Sequence, residues 1–457
     1  MPLTSGSPRS TPSSQPPGTP PSRASRRAHD REILRLAVPA FGALVAEPMF
    51  LLADYAIVGR LGTTALGALG VAGAALTTLV NLCVFLAYGT TAAVARQAGA
   101  GNLARGVRQG VDGLWLAGAI GVAVIAVAWP AAPAIVAVFG ASPELAASAI
   151  TYLRISLFGA PAMLIVLAGT GVLRGLADTV TPLAVSVGSF ALNAVLNLWF
   201  VLGLGWGIAG SAWGTVLAQV LGAAVYIAVL VRGARRHGAS LRPDLTGIRA
   251  AGTAGVALIV RTGCLRIVMI VAAMAATRMG DAQIAAHAIA VQIWSFLAFA
   301  LDAIAIAGQA ITGRALGAGD VAGTRAATRR MVWWGVWCGV ACALLVLLSR
   351  PLVPGVFDAD AAVAAALLAV LWPVALLQPI AGVVFVLDGV LIGAGDRRYL
   401  AWAGVWTTLA YLPAVLVVVA TGGGLVALWA SLGVWMVARL ITLGARARGG
   451  AWLITGA

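Results

Sequence analysis

The sequence predicts an all-α integral membrane protein, with twelve transmembrane helices in two six-helix lobes related by a pseudo-two-fold axis along the membrane normal. Three observations lead there. Of 457 residues, 61% are apolar and 10% charged, whereas soluble globular domains are about half apolar and about a quarter charged. Residues 31–236 and 249–454 repeat one set of landmarks: Arg60 and Arg278, Arg96 and Arg314, Gly99 and Gly317, Pro133 and Pro351, Pro161 and Pro379, and Asp178 and Asp396 all stand 218 positions apart. The arginines, finally, segregate to one side of the apolar stretches.

A helix crossing about 30 Å of hydrocarbon needs roughly 20 apolar residues, and each half holds six such stretches. The first, 33–58, is bracketed by Arg35 and Arg60, which puts Glu47 near mid-depth and Asp54 about 10 Å farther out. Pro39 and Pro48 let it bend. Spans at 65–95, 110–136 and 145–173 follow; the fifth, 180–202, carries Asn193 and Asn197 one turn apart, and the sixth, 207–231, runs into the polar segment RGARRHGASLRPDLTGIR. The second half repeats them at 251–276 with Arg261 and Arg266, 283–312 with Asp302, 331–349, 362–392 with Asp388, 399–420 and 425–443.

With both termini in the cytosol, 24 arginines including Arg439 fall inside, Arg60, Arg154, Arg278 and Arg350 fall outside, and Arg261 and Arg266 lie within a span. The positive-inside rule supports that topology. Six spans per half is an even number, so both halves enter the membrane in the same sense and a central cleft runs between them. The expected organisation is a disordered cytosolic tail at 1–30, rich in Pro, Ser and Arg, a first lobe at 31–231, a cytosolic linker at 232–249, a second lobe at 250–445 and a cytosolic C-terminal tail at 446–457.

Composition also excludes functions. There is no Lys, and a Walker A loop needs one. Cys83, Cys264, Cys338 and Cys342 lie in apolar stretches as packing residues, and His29, His237 and His287 are too scattered to form a ligand cluster. No nucleophile elbow or zinc-protease motif is present, so neither an enzyme nor a resident cofactor or metal is expected. The net charge of +15 follows from the arginine sidedness and does not call for nucleic acid.

An ionisable group near the bilayer centre costs about 2.5–3.5 kcal/mol on insertion scales, so each one needs a reason. Glu47 and Asp54 are two turns apart on one helix face, and apart from Arg35 and Arg154, assigned to the two membrane faces, no basic residue lies in the first lobe's spans to neutralise them. Such acids can bind and release protons as their hydration changes, which makes them the expected proton-coupling pair. Asn193 and Asn197 are the expected substrate- or cation-binding pair, with interhelical hydrogen bonding as their other use. In the second lobe, Arg261, Arg266, Asp302 and Asp388 can neutralise one another in a charge network, Arg261 lying level with Asp302. A neutralised network of this kind is weighted toward architecture.

LLADYAIVGRLG (51–62), ARQAGAGN (95–102), LRGLADTVTP (173–182), LNAVLNLWFVLGLGWGIAGSAWGTVLAQ (192–219) and AAHAIAVQIWSFLAFALDAIAIAGQAITGRALGAGD (285–320) resemble the multidrug and toxic compound extrusion (MATE) family, in its DinF-like branch. The resemblance covers about residues 31–445. It implies a plasma-membrane antiporter, here bacterial and expected to act as a monomer among membrane lipids, that exports amphipathic, often cationic compounds against protons or sodium. The family's first-helix acid matches Asp54 and its fifth-helix polar pair matches Asn193 and Asn197. Members with a defined first-lobe cation site have Asp where this chain has Asn197, and the NorM-like branch has an acid on the seventh helix where this chain offers Arg261 and Arg266. Protons are therefore expected over sodium. A flippase for lipid-linked precursors, of the same superfamily, is the alternative; it calls for a cationic cavity, whereas the unneutralised charges here are Glu47 and Asp54.

Overall fold

The computed structural model describes residues 23–456. Fifteen helices follow in order among them: α1 (Arg23–Val58), α2 (Thr63–Leu82), α3 (Phe85–Gly99), α4 (Leu103–Ala137), α5 (Pro143–Leu157), α6 (Ala160–Gly175), α7 (Val180–Asn197), α8 (Gly207–His237), α9 (Leu245–Arg278), α10 (Asp281–Gly317), α11 (Val321–Ser349), α12 (Val353–Val356), α13 (Ala361–Gly393), α14 (Arg397–Ala420) and α15 (Leu425–Arg448). Among the described residues eleven helical stretches are long and apolar enough to cross a membrane, and twelve with α5 and α6 taken as one span bent by 52°. All twelve expected spans are present in order.

The halves are not mirror repeats in detail. In the first lobe the second span breaks into α2 and α3 at Cys83 and Val84, and the fourth bends between α5 and α6 at Phe158 and Gly159. Their counterparts α10 and α13 run unbroken. A π-helical turn at Leu198–Gly203 continues directly from α7; such turns open one place in the backbone ladder and recur at functional sites.

Three boundaries differ from those expected. Helix α1 begins at Arg23, inside the stretch assigned to the tail; residues 1–22 lie outside the described residues. Only 238–244 separate α8 from α9, with Gly238 in the left-handed conformation ending α8 and the Asp244 carboxylate capping the Thr246 N–H of α9. Hydrogen bonding to those backbone amides holds the Asp244 carboxyl below its usual range. At the C-terminus, α15 continues to Arg448 and the chain folds back: Trp452 is buried, its Nε1 donating to the carbonyls of Ala447 and Gly449, both at 3.1 Å. Burial of the indole pins what composition alone presents as a loose end.

The two lobes meet at the end of the bundle that carries the α8–α9 linker. One core runs continuously from the second lobe into α1 through Ile33, Leu36, Ala37 and Ala40, whereas the far half of the first lobe has its own core around Val58, Leu69, Tyr152 and Leu153. Helices α3 and α10 cross backbone to backbone on the pseudo-two-fold axis: a Cβ on Gly99 would overlap the main chain of Arg314, and one on Gly317 the main chain of Arg96. These are two of the residue pairs separated by 218. Small residues are what let membrane helices approach this closely. Gly317→Val is therefore expected to push the linker ends apart, costing at least the ~1–3 kcal/mol of an overpacked core, and a lower thermal midpoint in detergent would register it.

Ion pairs stitch the same end. Asp30 of α1 accepts from Arg330 Nε and Nη2 at 2.5 and 2.7 Å and from Trp334 Nε1 at 2.8 Å, and Glu32 pairs with Arg314. The C-terminal segment adds to them, Arg96 donating to the Ile454 carbonyl and the Gly456 N–H to the Leu316 carbonyl.

Candidate functional site in the first lobe

One stripe of α1 passes from burial to exposure and back to burial along the helix. Residues 33, 36, 40, 47, 51, 54 and 58 recur at helical spacing on one face. Ile33, Leu36 and Ala40 are buried, Glu47 and Leu51 are exposed, and Asp54 and Val58 are buried again. The first group packs on the second lobe and the last within the first lobe. Between them the stripe faces open space, with neither lobe packed over Glu47 and Leu51.

Asp54 turns from this opening into the first lobe and is 4% exposed. Its Oδ1 accepts from Asn197 Nδ2 at 2.6 Å and from Ser211 Oγ at 3.0 Å. Asn197 Nδ2 also reaches Asn193 Oδ1 at 3.0 Å, and Asn193 Nδ2 donates to Thr215 Oγ1 at 2.9 Å. Five polar side chains from α1, α7 and α8 thus form one chain of hydrogen bonds with no cation in it. A Cβ on Gly214 would fill the space of the Asn197 amide, so the glycine is what admits the asparagine. Asn197 Oδ1 is buried without a hydrogen-bond partner, an acceptor left over beside a carboxylate. The π turn begins at the next residue, Leu198, and the Phe50 and Phe190 rings stack at 4.8 Å to hold α1 against α7.

Of the expected first-lobe residues, the fold brings Asp54, Asn193 and Asn197 together. Glu47 shares their helix face but makes no side-chain hydrogen bond or ion pair among the described residues; it stands exposed in the opening. Sequence reasoning missed Ser211 and Thr215. Their signal was available, since they repeat the i, i+4 polar spacing of Asn193 and Asn197 within another apolar helix.

The second-lobe charges assemble differently from the expected network. Arg261 reaches Asp388, with Nε to Oδ1 at 3.1 Å and Nη2 paired to Oδ2, and Arg439 Nη2 donates to the same Oδ2 at 3.1 Å. Two arginines therefore share one carboxylate. Arg439, counted above among the cytosolic arginines, lies buried inside the bundle. Asp302 is not hydrogen-bonded to Arg261; it sits in the field of Arg261, Arg174 and Arg439 without a direct bond. Arg266 leaves the network altogether and is exposed. Five residues of helix turn it about 140° from Arg261, so the two cannot reach one partner. Arg261 also stands over the ring of Tyr88 from α3 at 5.9 Å, which ties this network to the other lobe. Among the described residues no group of three or more His, Cys, Asp or Glu could hold a metal ion.

The model of one protein family, described as MatE, matches this chain twice, over residues 39–199 and 257–417, one match in each lobe and again 218 positions apart. Protein DETOXIFICATION 44, chloroplastic, of Arabidopsis thaliana is 29% identical over 437 residues, spanning 92% of this chain and 81% of that protein. A "Probable multidrug resistance protein NorM" of Rhizobium meliloti (strain 1021) is 30% identical over 308 residues, spanning 65% of this chain and 66% of its own length. Among solved structures, an outward-facing conformation of a multidrug resistance MATE family transporter of the MOP superfamily superposes with a TM-score of 0.84 at 23% identity, covering 93% of this chain and 96% of that one.

Proposed function

This chain belongs to the MatE family, as a multi-pass membrane transporter of the multidrug efflux type, and we propose that it exports amphipathic, cationic organic compounds in exchange for protons carried on Asp54. The observation that carries the coupling reading is the cation-free hydrogen-bond chain around that carboxylate.

As a carboxylate, Asp54 accepts from both Asn197 and Ser211. A proton taken up on Oδ2, which receives no side-chain hydrogen bond among the described residues, leaves Oδ1 accepting as before and adds a donor that needs an acceptor of its own. The unpartnered Oδ1 of the Asn197 amide gives the new donor somewhere to go, but only if the amide rotates. Asn197 is the last residue of α7 before the π turn, so that rotation loads the joint between α7 and α8 and the Phe50–Phe190 contact with α1. Protonation and substrate then favour different arrangements of α1 and α7, which is all that exchange requires.

In this reading Glu47 and the exposed face of α1 meet the substrate, their negative charge suiting a cation. The linker end of the bundle is cytosolic, both termini lie on that side, and the membrane is the bacterial plasma membrane; the arginine distribution supports this orientation. The transporter acts as a monomer, and the cluster lacks the second carboxylate that a firm sodium site calls for. Ethidium efflux from proteoliposomes checks the coupling ion: an imposed pH gradient is expected to drive it and a sodium gradient to leave it at the passive rate. Efflux driven by sodium alone would overturn the proton reading.

A further inference from the structure

The pseudo-symmetry that pairs Arg96 with Arg314 breaks in one respect. Arg314 is neutralised by Glu32 of α1, but 218 positions after Glu32 stands Ala250 on α9. Among the described residues Arg96 accordingly has no carboxylate; the one acceptor it finds there is the Ile454 carbonyl, and its Nε is buried without a partner. Arg397, at the start of α14, is in the same condition. Its Nε is buried and unpartnered, and its positive charge is near enough to Arg96 for the two to repel. Its neighbour Asp396 is taken by Arg446.

Where the missing carboxylate would sit there is a cavity of about 200 Å³, lined by Ala250 and Arg397 among others. It lies between α3 and α4 of the first lobe and α9 and α14 of the second. Polar groups stand at the linker end, Arg397, Gln109 and Asp112, and apolar walls lead toward mid-membrane at Phe85, Leu86 and Leu116. Asp112 is already engaged, its Oδ1 accepting from the Asp244 N–H at 3.0 Å. Buried guanidinium donors without acceptors are costly, and one of them, Arg397, on the wall of an amphipathic cavity calls for an anion with an apolar tail.

We propose that this cavity receives the head of an anionic phospholipid of the leaflet at the linker end, its phosphodiester on Arg397 and the start of an acyl chain along Phe85, Leu86 and Leu116. The charge of Asp112 favours a monoanionic phosphodiester over a dianion there. Because the cavity walls come from both lobes, the lipid stabilises the arrangement in which the linker ends are closed. The placement of that leaflet on the cytosolic side rests on the orientation given above; the site itself does not.

The test uses the full-length protein, delipidated in a neutral detergent, and follows its thermal midpoint on addition of phosphatidylglycerol, phosphatidylcholine or inorganic phosphate. Phosphatidylglycerol is expected to raise Tm by about 5 °C at saturation, with little effect of the other two. Arg397→Gln should lose that rise. Ala250→Glu places a carboxylate where symmetry puts Glu32 and should raise Tm without lipid while abolishing the response; if it fails to fold, Arg397→Gln still decides. An equal rise with phosphatidylcholine, or an undiminished rise in Arg397→Gln, overturns the site. A full response to inorganic phosphate alone supports the anion site and overturns its lipid origin. None of these readings depends on transport, so failure of the coupling proposal would leave them unchanged.

Discussion

Asp54→Asn is expected to reduce pH-driven ethidium efflux to the leak of protein-free vesicles while leaving the fold intact. The substitution is nearly isosteric, and the new amide oxygen can still accept from Asn197 and Ser211. What disappears is the capacity to gain and lose a proton. The structural cost is confined to the altered hydrogen bonds of one buried group, about 1–3 kcal/mol. The folded fraction, checked by size-exclusion profile and thermal midpoint, should therefore fall far less than transport does. A variant that still pumps against a pH gradient would move the coupling to another group.

The second large effect belongs to the other lobe. Asp388→Ala is expected to destabilise the protein by about 3–5 kcal/mol, because it leaves Arg261 and Arg439 buried against each other with their shared carboxylate gone. Thermal unfolding in detergent measures it. The companion variant is more informative than the loss itself: Asp388→Leu combined with Arg261→Met and Arg439→Leu removes every charge of the shared bridge and should recover most of the midpoint, since replacing a whole buried network by apolar groups is often neutral or stabilising. If transport returns with stability, the bridge is architectural. Recovery of stability without transport would give these charges a part in the cycle.

Hydropathy made the spans legible in the sequence, and the 218-residue repeat organised them, because a bilayer forces each crossing to be a long apolar helix. Asp54, Asn193 and Asn197 stood out for the same reason: polar groups are costly there, so each one carries information. Ser211 and Thr215 did not, since a hydroxyl in a membrane helix can bond to its own backbone a turn earlier and needs no partner. Arg439 was hidden by its position near the end of a span, where a charge at the rim and a charge folded inward on Asp388 read alike. Arg266 was grouped wrongly because depth alone was weighed; its rotation about α9 decides its surroundings. The return of the C-terminal segment depends on Trp452 finding a buried place, which no local pattern records.

Proton release on substrate binding tests the central claim most directly. Purified protein in weakly buffered detergent solution, mixed with ethidium in the presence of a pH-indicator dye, should release protons with the wild type and none with Asp54→Asn, while ethidium fluorescence reports binding to both. Equal proton release from the two proteins, or binding to the wild type with no release across the pH range, would contradict the assignment of the coupled proton to Asp54.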